Sequence, residues 1–117
     1  MLLHIERWII IREGIRTDNA MSDYNTKIIR KYIKVYGQVQ GVGFRYRVEH
    51  AAHIEGATGW VRNDPDGGVS MELQGTEEQI DRVIMIVEKG TYIEIQHLEA
   101  KEITVLDDER DFRVRRW

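Results

Sequence analysis

At 117 residues, with 42% hydrophobic and 32% charged residues, the chain has the make-up of one ordinary globular domain and is too short for two cores. A net charge of −3 argues against a nucleic-acid protein held by a broad basic face. The absence of cysteine removes disulfides, thiolate nucleophiles and Cys-type zinc sites, and suits a reducing compartment.

Residues 1–20 lack the strand and helix alternation that starts later, and they end in the polar run Arg16-Thr17-Asp18-Asn19-Ala20. The apolar run Trp8–Ile11 is far shorter than the roughly 18–20 residues of a membrane span. Glu6 and Arg7 interrupt the segment and no small-residue cleavage site follows, so it makes a poor signal peptide. Three readings stay open: a flexible or helical appendage, an artefact of an upstream start, or a functional or dimerising arm. The division expected is an N-terminal extension over 1–26 and a folded domain over 27–117, resident in the cytoplasm as a monomer.

Ile28–Tyr36 is rich in β-branched and aromatic residues and roughly alternates, which predicts the first strand. The loop Gly37–Gly43 follows. Phe44, Val48, Ala51 and Ala52 then recur at helical spacing and predict a helix over about 44–55, stopped by Gly56. Ala57–Asn63 is the second strand. Asp64-Pro65-Asp66-Gly67-Gly68 is strong turn chemistry, and Val69–Gln74 alternates with Val69, Met71 and Leu73 inward, completing a hairpin. Thr76 and Gln79 form a capping-box pattern before the stripe Ile80, Val83, Ile84, Val87, and Gly90 closes that helix. Tyr92–Val105 holds a fourth strand whose alternation slips around His97 and Leu98, the mark of a bulge. A short last strand covers Phe112–Arg115. The order β-α-β-β-α-β plus one strand predicts an α+β, ferredoxin-like split βαβ sandwich: two helices on one face of a mostly antiparallel sheet. The first strand is expected to be central, with the second beside or near it.

The chemistry centres on Gly37-Gln38-Val39-Gln40-Gly41-Val42-Gly43-Phe44-Arg45 and on Gly59-Trp60-Val61-Arg62-Asn63. Glycine at this density lets backbone N–H groups crowd around one point. The helix after it aims the positive end of its dipole there. Arg45 adds a permanently charged fork of donors. The amides of Gln40, Gly41, Val42, Gly43, Phe44 and Arg45 therefore form an expected anion cradle of phosphate size. Asn63, at the end of the second strand, offers one acceptor and two donors without charge and can hold a water without repelling an anion.

These two stretches, followed by Asp66-Gly67-Gly68-Val69, resemble the acylphosphatase family over about Lys27–Trp117. The first motif is long and ungapped, and the second supports it at the family's spacing. Gln38 departs from the pattern, since the family more often has a basic residue there. So does Gly90-Thr91-Tyr92, where members often carry prolines. The N-terminal segment has no counterpart. The resemblance implies a ferredoxin-like fold, Arg45 and Asn63 as catalytic residues, and hydrolysis of acyl phosphates to a carboxylate and inorganic phosphate, with no metal or cofactor.

Blander readings stand beside these. Gly41 and Gly43 also suit a tight strand-to-helix turn, and Arg45 a surface residue paired with an acid. His50 and His53 have an i, i+3 spacing that can ligate a metal, but no third ligand lies nearby. Trp60 reads as a packing anchor beside the site, Phe44 as core, and Arg62 as either a substrate-flanking charge or, the favoured reading, a plain exposed strand residue. Arg113, Arg115 and Arg116 read as a tail balancing Asp107–Asp111. Two other function classes are a catalytically silent ferredoxin-like binding or regulatory domain and a nucleic-acid-binding module. The charge and the missing aromatic motif weigh against the second.

Overall fold

The computed structural model describes residues 26–116, so the readings of residues 1–20 lie outside the described residues. The elements are β1 (Ile28–Gln38), α1 (Phe44–Glu55), β2 (Thr58–Asn63), β3 (Val69–Thr76), α2 (Glu77–Glu88), β4 (Glu94–Ile103) and β5 (Phe112–Arg115). The strands form one sheet in the order β4-β1-β3-β2-β5. β1 pairs antiparallel with β3 and β4, β2 pairs antiparallel with β3, and β5 joins the edge parallel to β2. This is the ferredoxin-like α+β sandwich expected from the element order. β1 is an inner strand, but β3 rather than β2 lies beside it.

Odd-numbered β1 residues turn toward the helices. Ile29, Ile33 and Val35 are buried there with Val61 of β2 and Val69, Met71 and Leu73 of β3. Phe44, Val48, Ala51 and Ala52 of α1 cover them, as do Ile80, Val83, Ile84 and Val87 of α2. Burial of each large apolar side chain contributes about 1.5–3 kcal/mol, so this layer drives assembly. The capping box at Thr76 forms with both of its bonds: Gln79 N donates to Thr76 Oγ1 at 3.2 Å and Thr76 N to Gln79 Oε1 at 2.8 Å.

β2 starts one residue later than expected and β3 runs on to Thr76, and the end of β1 differs in two ways. β1 continues through Gln38, which pairs with Glu94. The bulge lies at Gln96, since Tyr36 pairs with His97 while Gly37 pairs with Ile95. It bends the end of β1 from which the glycine loop departs.

The other sheet face carries a polar layer. Arg30, 1% exposed, donates to Glu72 at 2.7 Å, to Gln74 at 3.0 Å and to Glu109 at 2.7 Å. Gln74 also exchanges two hydrogen bonds with the backbone of Leu106. These contacts bind the 104–111 connection, which runs from one sheet edge to the other, against that face. Among the described residues no helix is long and apolar enough to cross a membrane.

Candidate active site

The loop between β1 and α1 is short and turns sharply. Val39 is buried and plugs it into the core. Gly41 (φ 73°) and Gly43 (φ 79°) both take the left-handed conformation, which lets the chain reverse within a few residues. A Cβ built on either would meet nothing within 4 Å, so both face open space. Gly43 is the N-cap of α1 and provides no side-chain capping bond, and the first turn of α1 holds no acidic residue. The first N–H groups of α1 and the positive end of its dipole are therefore left for an incoming anion.

A cleft of about 220 Å3 opens here, lined by Val39, Gly41, Gly43, Phe44, Arg45, Tyr46 and Asn63. It brings together Arg45 and Asn63, the two residues singled out in the sequence, although β3 separates β2 from β1, the strand that leads into α1. Asn63 shares the helix-facing side of β2 with buried Val61 and ends the strand. Its side chain makes no hydrogen bond to another described residue. Arg45 Nη1 donates to the carbonyl of Arg115 at 3.4 Å. Among the described residues no carboxylate pairs with Arg45.

Gln40 and Val42 do not line the cleft. Val42 packs against the core, and the Gln40 side chain turns toward the β2–β3 turn. Phe44 is 2% exposed, so its ring belongs to the core. Val39 and Tyr46 were not marked in the sequence as cleft residues. Their positions flanking the glycines and Arg45 were the available signal.

Behind Asn63 the turn 64–68 is fixed by charge. Asp64 accepts from Lys34 Nζ at 2.6 Å, from Arg62 Nε at 3.1 Å and from the Ser70 hydroxyl. Burial alone would raise the Asp64 carboxyl, but these donors outweigh it and hold the carboxyl below the usual range. Burial likewise opposes the Lys34 charge, and the Asp64 and Asp66 carboxylates override it and raise its pKa. The Gly68 N–H and then Lys34 lower Asp66. Arg62 is thus no plain exposed residue: it pairs with Asp64 and lies over the Trp60 ring at 5.2 Å. Trp60 sits on the sheet face away from the helices, with Arg115 over it at 4.6 Å. Arg113 does meet the acidic loop, at Asp111 (3.4 Å).

A slightly larger cleft of about 240 Å3 lies beside Trp60, near Asp108–Asp111 and Arg113. Arg113 is paired there with Asp111 and Glu109 with Arg30, and the cleft lacks an open helix start. His50 and His53 are exposed on α1, and among the described residues no group of three or more His, Cys, Asp or Glu is placed to hold a metal ion.

The model of the family described as acylphosphatase matches residues 31–114. The chain is 41% identical over 86 residues to an acylphosphatase of Geobacillus thermodenitrificans, covering 73% of this chain and 92% of that one. It is 36% identical over 97 residues to an acylphosphatase of Bordetella parapertussis, covering 83% and 94%. Its structure resembles that of an acylphosphatase from Coxiella burnetii with a TM-score of 0.70 and 31% identity, over 81% of this chain and all of that one. A match that spans both motifs and nearly the full length of these relatives leaves one conclusion: this chain belongs to the acylphosphatase family.

Proposed function

We propose that Arg45 and the backbone amides of the 40–45 stretch hold the phosphoryl group of an acyl phosphate, and that Asn63 aims the attacking water. The reaction is that of the family: an acyl phosphate is hydrolysed to a carboxylate and inorganic phosphate. The observation that carries the residue roles is the shared cleft, with a guanidinium and an open helix start on one side and an amide on the other, neither side chain paired with a carboxylate among the described residues.

The chemistry asks for little more. The departing carboxylate is the base of an acid with pKa about 4, so it leaves without a general acid. Water oxygen bonds to phosphorus as the bond from phosphorus to the acyl oxygen breaks, and that electron pair departs on the carboxylate. One water proton passes to a phosphate oxygen of the substrate, which removes the need for a protein base. Phosphoryl transfer is then mainly positioning and charge stabilisation, which Arg45 and the amides supply to the equatorial oxygens. No step draws on a metal. The domain is proposed to act as a monomer. A cysteine-free sequence suits the reducing cytoplasm.

Benzoyl phosphate hydrolysis with chelator present tests these roles. Wild-type rates stay unchanged by the chelator. Arg45→Ala loses binding and turnover, with kcat/KM down by about a thousandfold or more. Asn63→Ala lowers kcat by about a hundredfold with little change in KM. A raised KM with unchanged kcat in Asn63→Ala would refute the water-aiming role. Inorganic phosphate competes with substrate in the wild type.

A further inference from the structure

Asn63 ends β2 and Arg45 lies in the first turn of α1 after β1, and these two strands do not hydrogen-bond to each other, because β3 lies between them. Packing of α1 on β2 and the Arg45 bond to Arg115 set part of the separation of the two residues, and a contact between the glycine loop and the turn after Asn63 adds to it. That contact is the Gln40 side chain. Gln40 Nε2 donates to the carbonyl of Asp64 at 2.7 Å and to that of Gly68 at 2.8 Å. Two carbonyls facing one terminal group require its NH2 rather than its oxygen, so the partners fix the orientation of the amide.

The turn does not need these bonds to satisfy itself. The Asp64 carbonyl already accepts from Gly67 N at 3.1 Å, and the Gly68 carbonyl from Asp64 N at 2.9 Å. Gln40 therefore adds a link between two finished local structures. Lys34 grips the same turn through Asp64 and Asp66, but from within β1. Among the described residues only Gln40 joins the turn by a side-chain hydrogen bond from the loop that leads into Arg45.

We propose that Gln40 is a positioning residue whose side chain sets the geometry of the phosphate-binding loop against Asn63, beyond any part its backbone amide plays in the cradle. This rests on the reading of Arg45 and Asn63 as the reacting pair. In-line attack is sensitive to such geometry, and a displacement of about 1 Å can cost about a hundredfold in rate. Phosphate binding depends on Arg45 and the amides of the loop itself, which move together when the link is cut.

The test compares Gln40→Leu, Gln40→Glu and Arg45→Ala with the wild type. It measures kcat on benzoyl phosphate, the competitive inhibition constant of inorganic phosphate, and the melting temperature. Glu keeps the length of Gln, and its carboxylate cannot donate, so it serves should the Leu variant not fold. The expected result is kcat down by about 30- to 100-fold in each folded Gln40 variant, with the phosphate constant within about threefold. A lowered melting temperature with wild-type kcat would mean Gln40 only stabilises the turn, and would overturn the proposal. A parallel loss of kcat and phosphate binding would overturn it too, placing the side chain in the cradle. Full activity in Arg45→Ala would instead sink the underlying site reading. An inactive Arg45→Ala beside a fully active Gln40→Glu would sink the Gln40 link alone.

Discussion

Replacing Asp64 by Asn puts the charge network behind the site to a quantitative test. The Asp64 side chain is 8% exposed and accepts from Lys34, itself 12% exposed, at 2.6 Å. Asn keeps the shape and one acceptor but removes the charge and can turn an NH2 toward the ammonium. Lys34 is left with Asp66 at 3.0 Å, a partner 53% exposed and well screened. A hydrogen bond to a charged group contributes about 1.5–3 kcal/mol, and the Ser70 hydroxyl loses a charged acceptor as well. The expected net loss is about 2–3 kcal/mol, since part of the desolvation cost of Asp64 is also removed. For a domain of this size that lowers the melting temperature by about 10–20 °C. The pH dependence has a definite sign. A carboxyl held below its unfolded pKa stabilises the fold above that value, about 3.9, and the gain disappears as pH falls through the folded value. In urea unfolding, the gap between wild type and Asp64→Asn should be constant above about pH 5 and close on acidification below about pH 4. A gap under about 0.5 kcal/mol at pH 7, or one that widens in acid, would refute the reasoning.

Two further outcomes follow from the fold. Arg30→Met leaves Glu72 and Glu109 without their buried cation and removes one of the anchors of the 104–111 connection, at a cost of about 3 kcal/mol in urea unfolding. Amide exchange of residues 104–111 should quicken in that variant, and unchanged exchange would show that the connection is held by other contacts. Thr76→Ala removes the capping box of α2 and costs about 1 kcal/mol, seen as a melting temperature about 4–8 °C lower. Its kcat should stay at the wild-type value, because α2 does not line the cleft.

The parts of the molecule that the chain order reveals are those specified locally. The odd-numbered apolar residues of β1, the stripes of α1 and α2 and the pair Thr76 and Gln79 all act within a few residues of one another, and each lies where its spacing places it. The co-location of Arg45 and Asn63 was legible only because two separate motifs pointed to one topology. What stayed hidden depends on distant partners. Nothing near Gln40 announces that its amide meets carbonyls 24 and 28 residues further on. Asp64 lies in a stretch whose turn chemistry masks its part in an ion network. A cue existed in β1, where Arg30, Tyr32 and Lys34 alternate with the core residues and so line a polar second face. Trp60 and Arg62 belong to that face as well, which explains why neither behaves as an isolated strand residue.

The strand order also governs how the chain reaches its native state. Among the described residues only β2 and β3 pair as neighbours in sequence; the other ladders join segments far apart, and the Arg30–Glu109 bridge spans 79 residues. Large loops must close before those ladders repay their entropy, so refolding should be slow, on the ms–s scale of high-contact-order domains. The 58–76 hairpin is the one part of the sheet able to nucleate early, and the strand-spanning bridges must form late. Mutations at those bridges should therefore speed unfolding far more than they retard refolding.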